Sequence, residues 1–290
     1  MTRVITQVVL VGAMLEVLAT PALAGFLPDL PPAEAIIPRS PPVGADISYP
    51  QCGQALPVGQ AFGVVGVNYG RDNTLNPCLS QELAWASNLS TGGTSEPNAS
   101  VYLNTGDPGN LYDGEEILDW PASGNTPYGA CVRIELAIQR FGLGQVSLAC
   151  AFEYGYLKAE QDLSWLRAAA ASDYLPSSAR DYPVWLDVEN SNTWLSATDL
   201  NVADLQGMVV GLTQSGVPEI GVYALPLQWQ EITGGASSLD LGSLPELHDW
   251  ILGAGSLQAA EAECQQSPFM GAGIGLTQFP FGQFDGDYAC

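Results

Sequence analysis

The sequence predicts a single TIM-like β/α barrel, an α/β fold stapled by disulfides. Short β-rich runs alternate along the chain with segments that carry apolar residues at i, i+3, i+4 spacing. The strand candidates are apolar along most of their length, which is typical of parallel strands buried on both faces. Residues 44 to 290 approach the ~250 residues of a usual β/α barrel, and they show no internal repeat or second domain.

Six strands and three helices carry this prediction. The strand candidates are 63–67, 100–103, 183–186, 220–223, 250–252 and 273–277. The helix candidates are 77–89, 151–171 and 200–215. Gly216, directly after the last of them, is a usual helix end. Residues 124–150 fit neither pattern, and we interpret them as a loop with a short helix inside, bracketed by Cys131 and Cys150.

The N-terminal segment has the pattern of an export signal. Arg3 precedes an apolar run over residues 4–18, and Ala22-Leu-Ala24 is a small-residue cleavage pattern, which predicts a signal peptide over residues 1–24. Residues 25–43 contain six prolines and predict an extended linker. No later segment reaches the ~18 apolar residues that span a bilayer. We expect a secreted protein, extracellular or associated with the cell wall, without membrane association after signal cleavage.

The six cysteines suit an oxidising compartment. They stand at Cys52, Cys78, Cys131, Cys150, Cys264 and Cys290. Six cysteines allow about 15 pairings, and sequence alone does not choose among them. We favour Cys52 with Cys78, Cys131 with Cys150 and Cys264 with Cys290, because each pair ties a loop or a chain end back to its neighbourhood.

The charge and the residue inventory exclude several function classes. The net charge is −23, since 8 Lys and Arg stand against 31 Asp and Glu, and such a surface repels nucleic acid. His248 is the one histidine, so a zinc site built on two or three His ligands is excluded. No Gly-rich loop carries the Lys and Ser/Thr that bind phosphate. We therefore expect no metal and no cofactor, and carboxylate chemistry remains, whose common extracellular use is glycoside hydrolysis.

Two acids end the strand candidate 183–186. Asp187 and Glu189 are spaced i, i+2, so they share a face with α-carbons ~6.6 Å apart. Carboxyl groups this close titrate together, which keeps an acid protonated near neutral pH. Asp46 and Asp285 are also predicted at C-terminal strand ends, where barrels place active sites, and the first and last strands of a barrel are neighbours. Each acid taken alone is better explained as a cap, a turn or a solvated strand end.

The order of these motifs resembles that of the family 25 glycoside hydrolases, the lysozyme-like muramidases. The matching segments are Asp46-Ile-Ser48, Asp187-Val-Glu189, Gly221-Val-Tyr223, Leu276-Thr-Gln-Phe279 and Asp285-Gly-Asp287. The opening Asp46 to Cys52 and the terminal Tyr-x-Cys look like a divergent secreted group of actinobacterial type. The chain departs from the family in having Asp287 where Asn is usual. It also has Val101-Tyr-Leu-Asn104 where the lysozymes tend to carry an aromatic, His-containing strand.

The resemblance implies roles for the site residues. Glu189 would protonate the leaving glycosidic oxygen, and Asp187 would orient or charge-stabilise the acetamido group of the substrate. Asp46 and Asp285 would tune these acids by like-charge coupling and hydrogen bonding. The expected substrate-binding residues are Tyr69, Tyr102, Tyr223, Trp229 and Gln278. Core packing is the competing explanation for each aromatic residue.

Two functions from different classes compete at this point. One is a secreted glycoside hydrolase that acts on an N-acetylated cell-wall glycan such as peptidoglycan. The other is a barrel without turnover that keeps the groove and holds glycan or a protein partner. Both acids of the central pair favour the enzyme, whereas the acidic surface and the departures from the family favour the binding protein. A redox or structural secreted protein is a third possibility.

Overall fold

The computed structural model describes residues 43–89, 94, 96–108, 119–134 and 144–290. The predicted signal peptide, residues 1–24, lies outside the described residues, as does the predicted linker up to residue 42. Val43, which we had assigned to the linker, begins the first strand instead. Within the described part of the chain, no helix is both long and apolar enough to cross a membrane.

Eight of the ten described strands close into one barrel. The ten strands are β1 (Val43–Ile47), β2 (Gly63–Gly66), β3 (Ala99–Asn104), β4 (Ser123–Thr126), β5 (Gly129–Val132), β6 (Val184–Asp187), β7 (Ile220–Tyr223), β8 (Leu247–Ile251), β9 (Gly271–Phe281) and β10 (Phe284–Ala289). The barrel order is β1-β2-β3-β6-β7-β8-β9-β10, and β10 returns to β1. Seven strands are parallel, whereas β10 is antiparallel to both neighbours. The predicted barrel is therefore confirmed, with its last strand reversed.

Five α-helices are described between these strands. They are α1 (Leu79–Ser87), α2 (Leu148–Ser172), α3 (Thr198–Ser215), α4 (Pro226–Thr233) and α5 (Leu257–Glu263). The first three confirm the predicted helices, with ends shifted by at most three residues. Ser147 caps α2 by accepting a hydrogen bond from the backbone N–H of Cys150, and Gly216 ends α3 with a φ of 86°.

Two parts of the fold differ from the prediction. Helices α4 and α5 were not predicted, because they are short and each buries only a few side chains, so their apolar periodicity is weak. The interpretation of residues 124–150 as a loop with a short helix is wrong for the part that the structure describes. There β4 and β5 form an antiparallel hairpin, and Cys150 lies in the first turn of α2.

Strand residues alternate between the helix layer and the barrel interior. On β6, Val184 and Leu186 join the core shared with the helices, whereas Trp185 joins a separate interior cluster. By the same alternation Asp187 points into the barrel. Gly221 on the neighbouring strand makes room for Trp185, since a Cβ atom there would lie 2.2 Å from the indole ring. Large aromatic side chains thus fill the barrel below the polar strand ends.

All six cysteines form disulfides, and the favoured pairing is confirmed. Cys52 pairs with Cys78, Cys131 with Cys150, and Cys264 with Cys290. The first bond ties the turn after β1 to the start of α1, and the second ties the β4–β5 hairpin to α2. The third ties the end of α5 to the last residue of the chain. Each bond restricts the unfolded chain and stabilises the fold by about 2 to 4 kcal/mol.

A second group of acids is buried between the barrel and the helices α2 and α3. Asp72, Asp107, Asp162 and Asp204 are at most 3% exposed, and Lys158 is buried beside them. Burial raises the pKa values of Asp107 and Asp162 to about 7 and that of Asp204 well above the usual range. The charge of Lys158 lowers the pKa of Asp162 and of Asp204, but burial has the larger effect. The fold therefore holds protonated carboxyl groups at neutral pH.

We expect the protein to be most stable in mild acid. A carboxyl group whose folded pKa lies above its unfolded value of about 3.9 stabilises the fold fully below that unfolded value, and the contribution is lost as pH rises through about 7. Calorimetry at constant ionic strength should show the melting temperature falling by several degrees between pH 5 and pH 8. Asp204→Asn, which supplies a permanently neutral side chain, should flatten this slope. A melting temperature that is constant or rises over this range would contradict the expectation.

Candidate active site

The central pair of acids lies at the end of β6 as the spacing predicts. Asp187 is the last residue of the strand and is 5% exposed. Glu189 follows two residues later, while Val188 between them is buried in the core shared with the helices. The side chains of Asp187 and Glu189 therefore point the same way, toward the mouth of the barrel.

Asp46 and Asp285 meet across the seam where the barrel closes. They are register partners on β1 and β10. Asp46 lies near the C-terminal end of its strand as predicted. Asp285 does not, because β10 runs antiparallel, so Asp285 stands near the start of its strand. Reversal of the last strand brings that start to the same rim as the C-terminal ends of the other strands, so both acids still reach the barrel mouth.

The four acids line one cavity of about 180 Å³. Its walls are Asp46, Tyr102, Asp187, Glu189, Tyr223, Trp250, Gln278 and Asp285. A groove of about 680 Å³ adjoins it and shares Tyr102, Asp187 and Glu189 with it. Tyr69 also lines the groove, so all four predicted catalytic residues and four of the five predicted substrate-binding residues border the cavity or the groove.

Trp229 is the predicted substrate-binding residue that the structure places elsewhere. It lies on α4, is 2% exposed and packs against Phe269 with ring centroids 5.6 Å apart. Its indole N–H donates to the carbonyl oxygen of Ala236 at 2.8 Å. The expectation that Trp229 stacks on a sugar is therefore wrong, because its ring is buried and its polar atom is hydrogen-bonded inside the core.

Burial raises the pKa values of both members of the central pair. For Asp187 burial is the largest cause and the charge of Glu189 the next, and the pKa lies well above its usual range although Asn104 donates a hydrogen bond to this carboxyl. Burial also raises the pKa of Glu189. Two coupled carboxyls of this kind titrate as a unit and retain one proton toward neutral pH.

Asn104 holds Asp187 in place. Its side-chain amide donates to Asp187 Oδ2, and its backbone N–H donates to Asn68 Oδ1 at 2.9 Å. Asp187 Oδ1 has no hydrogen-bond partner among the described residues. This role of Asn104 was not predicted from the sequence, although Asn104 is the last residue of β3 and active sites of barrels lie at C-terminal strand ends.

A hydrogen-bonded chain positions Asp46. Gln278 Nε2 donates to Asp46 Oδ2 at 3.0 Å, and the Tyr223 hydroxyl donates to Gln278 Oε1 at 3.1 Å. Burial is the main reason that the pKa of Asp46 is raised to about 7, and the charge of Asp285 adds to it, while the bond from Gln278 opposes both. Asp46 thus titrates near neutral pH.

Two further residues at this end of the barrel were not assigned to the site from the sequence: Trp250 lines the cavity, and Asp287 lies beside Asp46. Trp250 lies edge-on to Tyr223 and to Trp185, with ring centroids at 4.5 Å and 5.7 Å. Asp287 is fully buried on β10, and burial followed by the charge of Asp46 raises its pKa well above the usual range. Asp287 is therefore a neutral carboxylic acid below Asp46, where it adds no charge to the site.

His248 lies outside this constellation. It pairs with Glu219 at 3.6 Å near the opposite end of the barrel, where β7 and β8 begin. In the part of the chain that the structure describes, no group of three or more His, Cys, Asp or Glu side chains has the arrangement of a metal site. The chemistry that this site offers is proton transfer and charge stabilisation by carboxyl groups.

Sequence comparison finds lysozyme-like proteins. Residues 175–261 match the family profile described as Lysozyme-like protein 1, Lys-1. The matched segment covers less than half of the chain but contains Asp187, Glu189 and Tyr223. It confirms the resemblance to lysozyme-like proteins that the motif order indicated. No protein with a curated description matches the sequence significantly.

Comparison with solved structures finds further proteins of this kind. The muramidase from Trichobolus zukalii is 15% identical with a TM-score of 0.48, and the match covers 86% of this chain and 93% of that one. The bacterial lysozyme from Streptomyces coelicolor is 14% identical with a TM-score of 0.47, over 86% and 92% of the two chains. The modular autolysin LytC from Streptococcus pneumoniae, solved with a synthetic peptidoglycan ligand, is 12% identical with a TM-score of 0.45 over 85% of this chain. This chain spans 46% of the length of that autolysin.

Proposed function

We propose that this protein is a secreted glycoside hydrolase that acts on an N-acetylated cell-wall glycan of the peptidoglycan type. The observation that carries the proposal is the coupled pair Asp187 and Glu189, which borders both the small cavity and the longer groove. An acid that keeps its proton near neutral pH beside a second carboxyl is what glycosidic bond cleavage requires. The profile match to lysozyme-like proteins covers this pair and supports the same assignment.

In the proposed reaction Glu189 donates its proton to the leaving glycosidic oxygen. Asp187 accepts a hydrogen bond from the acetamido N–H of the substrate, and the acetamido oxygen attacks the anomeric carbon from the opposite face. The bond from Asn104 to Oδ2 leaves Oδ1 of Asp187 for this contact. Cleavage of the resulting ring by water returns the proton to Glu189, so the enzyme ends the cycle unchanged.

Asp46, Gln278 and Tyr223 complete the site in this proposal. The hydrogen bonds that link them fix the Asp46 carboxyl group, which in its ionised form stabilises the positive charge that develops at the anomeric carbon. Asp285 lies at the exposed rim and also contributes negative charge, but solvent screens this charge more strongly. Tyr69, Tyr102 and Tyr223 present the aromatic surfaces on which sugar faces pack.

A barrel that binds glycan without cleaving it is the second candidate. The net charge of −23 favours this function, because repulsion from an anionic wall slows encounter at low salt. Slow encounter limits an enzyme that must turn over quickly more than a protein that stays bound to the wall. Both candidates use the same groove and the same aromatic residues.

Export from the cytoplasm is part of the proposal. The three disulfides support it, because such bonds persist in oxidising compartments. Cleavage of the chain near residue 25, found by N-terminal sequencing of the protein in culture medium, is the expected result. A mature protein that begins at Met1 and stays in the cytoplasm would contradict export.

Release of reducing ends from purified peptidoglycan separates the two candidates. We expect release at pH 5 to 7 that declines as the central pair loses its last proton at higher pH. Moderate salt should raise the rate, since it screens the repulsion between the acidic protein and the wall over about 8 to 10 Å. Binding without release from peptidoglycan or from chitin over pH 4 to 9 would establish the binding function instead.

A further inference from the structure

A buried asparagine after β2 completes the hydrogen bonding of β3. Asn68 is fully buried, and its side-chain oxygen accepts the backbone N–H of Asn104 at 2.9 Å. In a regular parallel pair this N–H would bond to the carbonyl oxygen of Val67, since the N–H of Val67 bonds to the carbonyl oxygen of Tyr102 at 3.0 Å. The Val67 oxygen accepts the N–H of Asn76 instead. The Asn68 side chain therefore holds the end of β3 in the place of a strand carbonyl.

The other end of the same amide is fixed by a buried carboxyl group. Asn68 Nδ2 donates to Asp162 Oδ1 at 2.9 Å and to the carbonyl oxygen of Asp72 at 3.4 Å. Asp162 stands on α2 and is fully buried, as is Lys158 one turn earlier on the helix. Exchange of the amide oxygen and nitrogen would place two N–H donors against each other at Asn104 and would remove the donor that Asp162 Oδ1 accepts. The amide of Asn68 is thereby held in one orientation.

The side chain of Asn104 reaches the central pair of acids from this anchored backbone. Asn104 is the register partner of Asp187, and its amide donates to Asp187 Oδ2. The next residue, Thr105, ties β3 to β6, because its hydroxyl donates to the carbonyl oxygen of Asp187 at 2.6 Å. Burial and then the charge of Glu189 raise the pKa of Asp187, and the bond from Asn104 lowers it. The titration of Asp187 therefore reports whether the Asn104 amide is in place.

We propose that Asn68 is a positioning residue, which aims the Asn104 amide at Asp187 Oδ2 and so keeps Asp187 Oδ1 for the substrate. Asn68 is fully buried, so it acts through the end of β3 and not by contact with a ligand. The inference rests on the proposed function, because the proposed reaction uses Asp187 in its ionised form. Without Asn68 the Asn104 amide is no longer held against that carboxylate, and the shared proton moves from Glu189 to Asp187.

The test follows Asp187 by carboxyl-carbon NMR in the free protein and measures turnover and binding of peptidoglycan beside it. Asn68→Leu keeps a similar volume but removes both polar ends of the side chain. The last step in the titration of the central pair should move to higher pH by about half a unit or more, because ionised Asp187 loses its hydrogen bond. Turnover should fall about tenfold or more, while binding stays within about twofold. The variant leaves the other titratable groups that face Asp187 unchanged, namely Asp46, Tyr102, Glu189 and Tyr223.

Ser238→Ala is the matched control. Ser238 is buried, its hydroxyl oxygen accepts the N–H of Leu247 at 2.8 Å, and its hydroxyl donates to the carbonyl oxygen of Met270. Leu247 begins β8, so the control removes a buried side-chain acceptor of a strand N–H at the opposite end of the barrel. It should lower the melting temperature without moving the titration of Asp187.

Asn68→Ser serves if Asn68→Leu fails to fold, because its shorter side chain leaves room for a water molecule and should shift the titration in the same direction. An unmoved titration of Asp187 in the Asn68 variant would overturn the inference. A shift of equal size in Ser238→Ala would do the same, as would full turnover beside a shifted titration. A wild type that releases no reducing ends would refute the proposed hydrolase, and the titration would still decide whether Asn68 holds Asn104 against Asp187.

Discussion

Glu189→Gln is expected to lower turnover on peptidoglycan by at least about 10³-fold and to leave glycan binding within about twofold. The amide keeps the shape and the hydrogen-bonding capacity of the side chain, but it has no acidic proton to give to the leaving oxygen. Glu189 and Asp187 both border the cavity and the groove, and in the proposed reaction Glu189 is the one that gives up a proton. Reducing-end release and calorimetric binding, measured on the same preparation, give the two quantities.

Glu261→Gln is the control for this substitution. Glu261 is exposed on α5, far in the fold from the mouth of β6, and the change removes the same charge. It should alter neither turnover nor binding. If Glu189→Gln retained more than about a tenth of the turnover, Glu189 would not be the proton donor. If wild type and Glu189→Gln both bound glycan equally and neither released reducing ends, the groove would be a binding site.

The local part of the site was predictable, because it depends only on strand geometry. Asp187 and Glu189 share a face in any strand, and their position follows from the apolar run that precedes them. The proximity of Asp46 and Asp285 was also predictable, but only from the fact that a closed barrel makes its first and last strands neighbours. Reversal of β10 was not, since the chain turns back on only two residues, Gly282 and Gln283.

The remaining errors concern which side of an element a residue faces. Trp229 stands on α4, a helix too short to show its buried face in the sequence, so its position near a strand end was a misleading sign. Asp287 lies on β10 in the closed interior, on the same face as Asp285, and this shared face has meaning only once the strand is known.

Asp187→Asn tests the separate roles of Asp187 and Glu189. In the free protein burial and the neighbouring charge favour a proton on Asp187, so the asparagine is close in shape and charge to the resting state. A folded, binding-competent variant is therefore expected, with a melting temperature near that of the wild type. In the proposed reaction, however, the proton must be on Glu189 while Asp187 is charged. An amide does not supply that charge, and turnover should fall about 10²-fold or more.

The same substitution should also move the pH profile of kcat/KM. In the wild type, loss of the last proton of the pair would place two negative charges side by side. The proton is therefore retained, and activity persists to a high pH. In Asp187→Asn that repulsion is absent and Glu189 loses its proton at lower pH, which shifts the basic limb toward acid by about one unit or more. Asp199→Asn, at an exposed position on α3, should shift nothing. An unshifted basic limb in Asp187→Asn would mean that the two carboxyls do not share a proton, and Glu189 would then owe its raised pKa to burial alone.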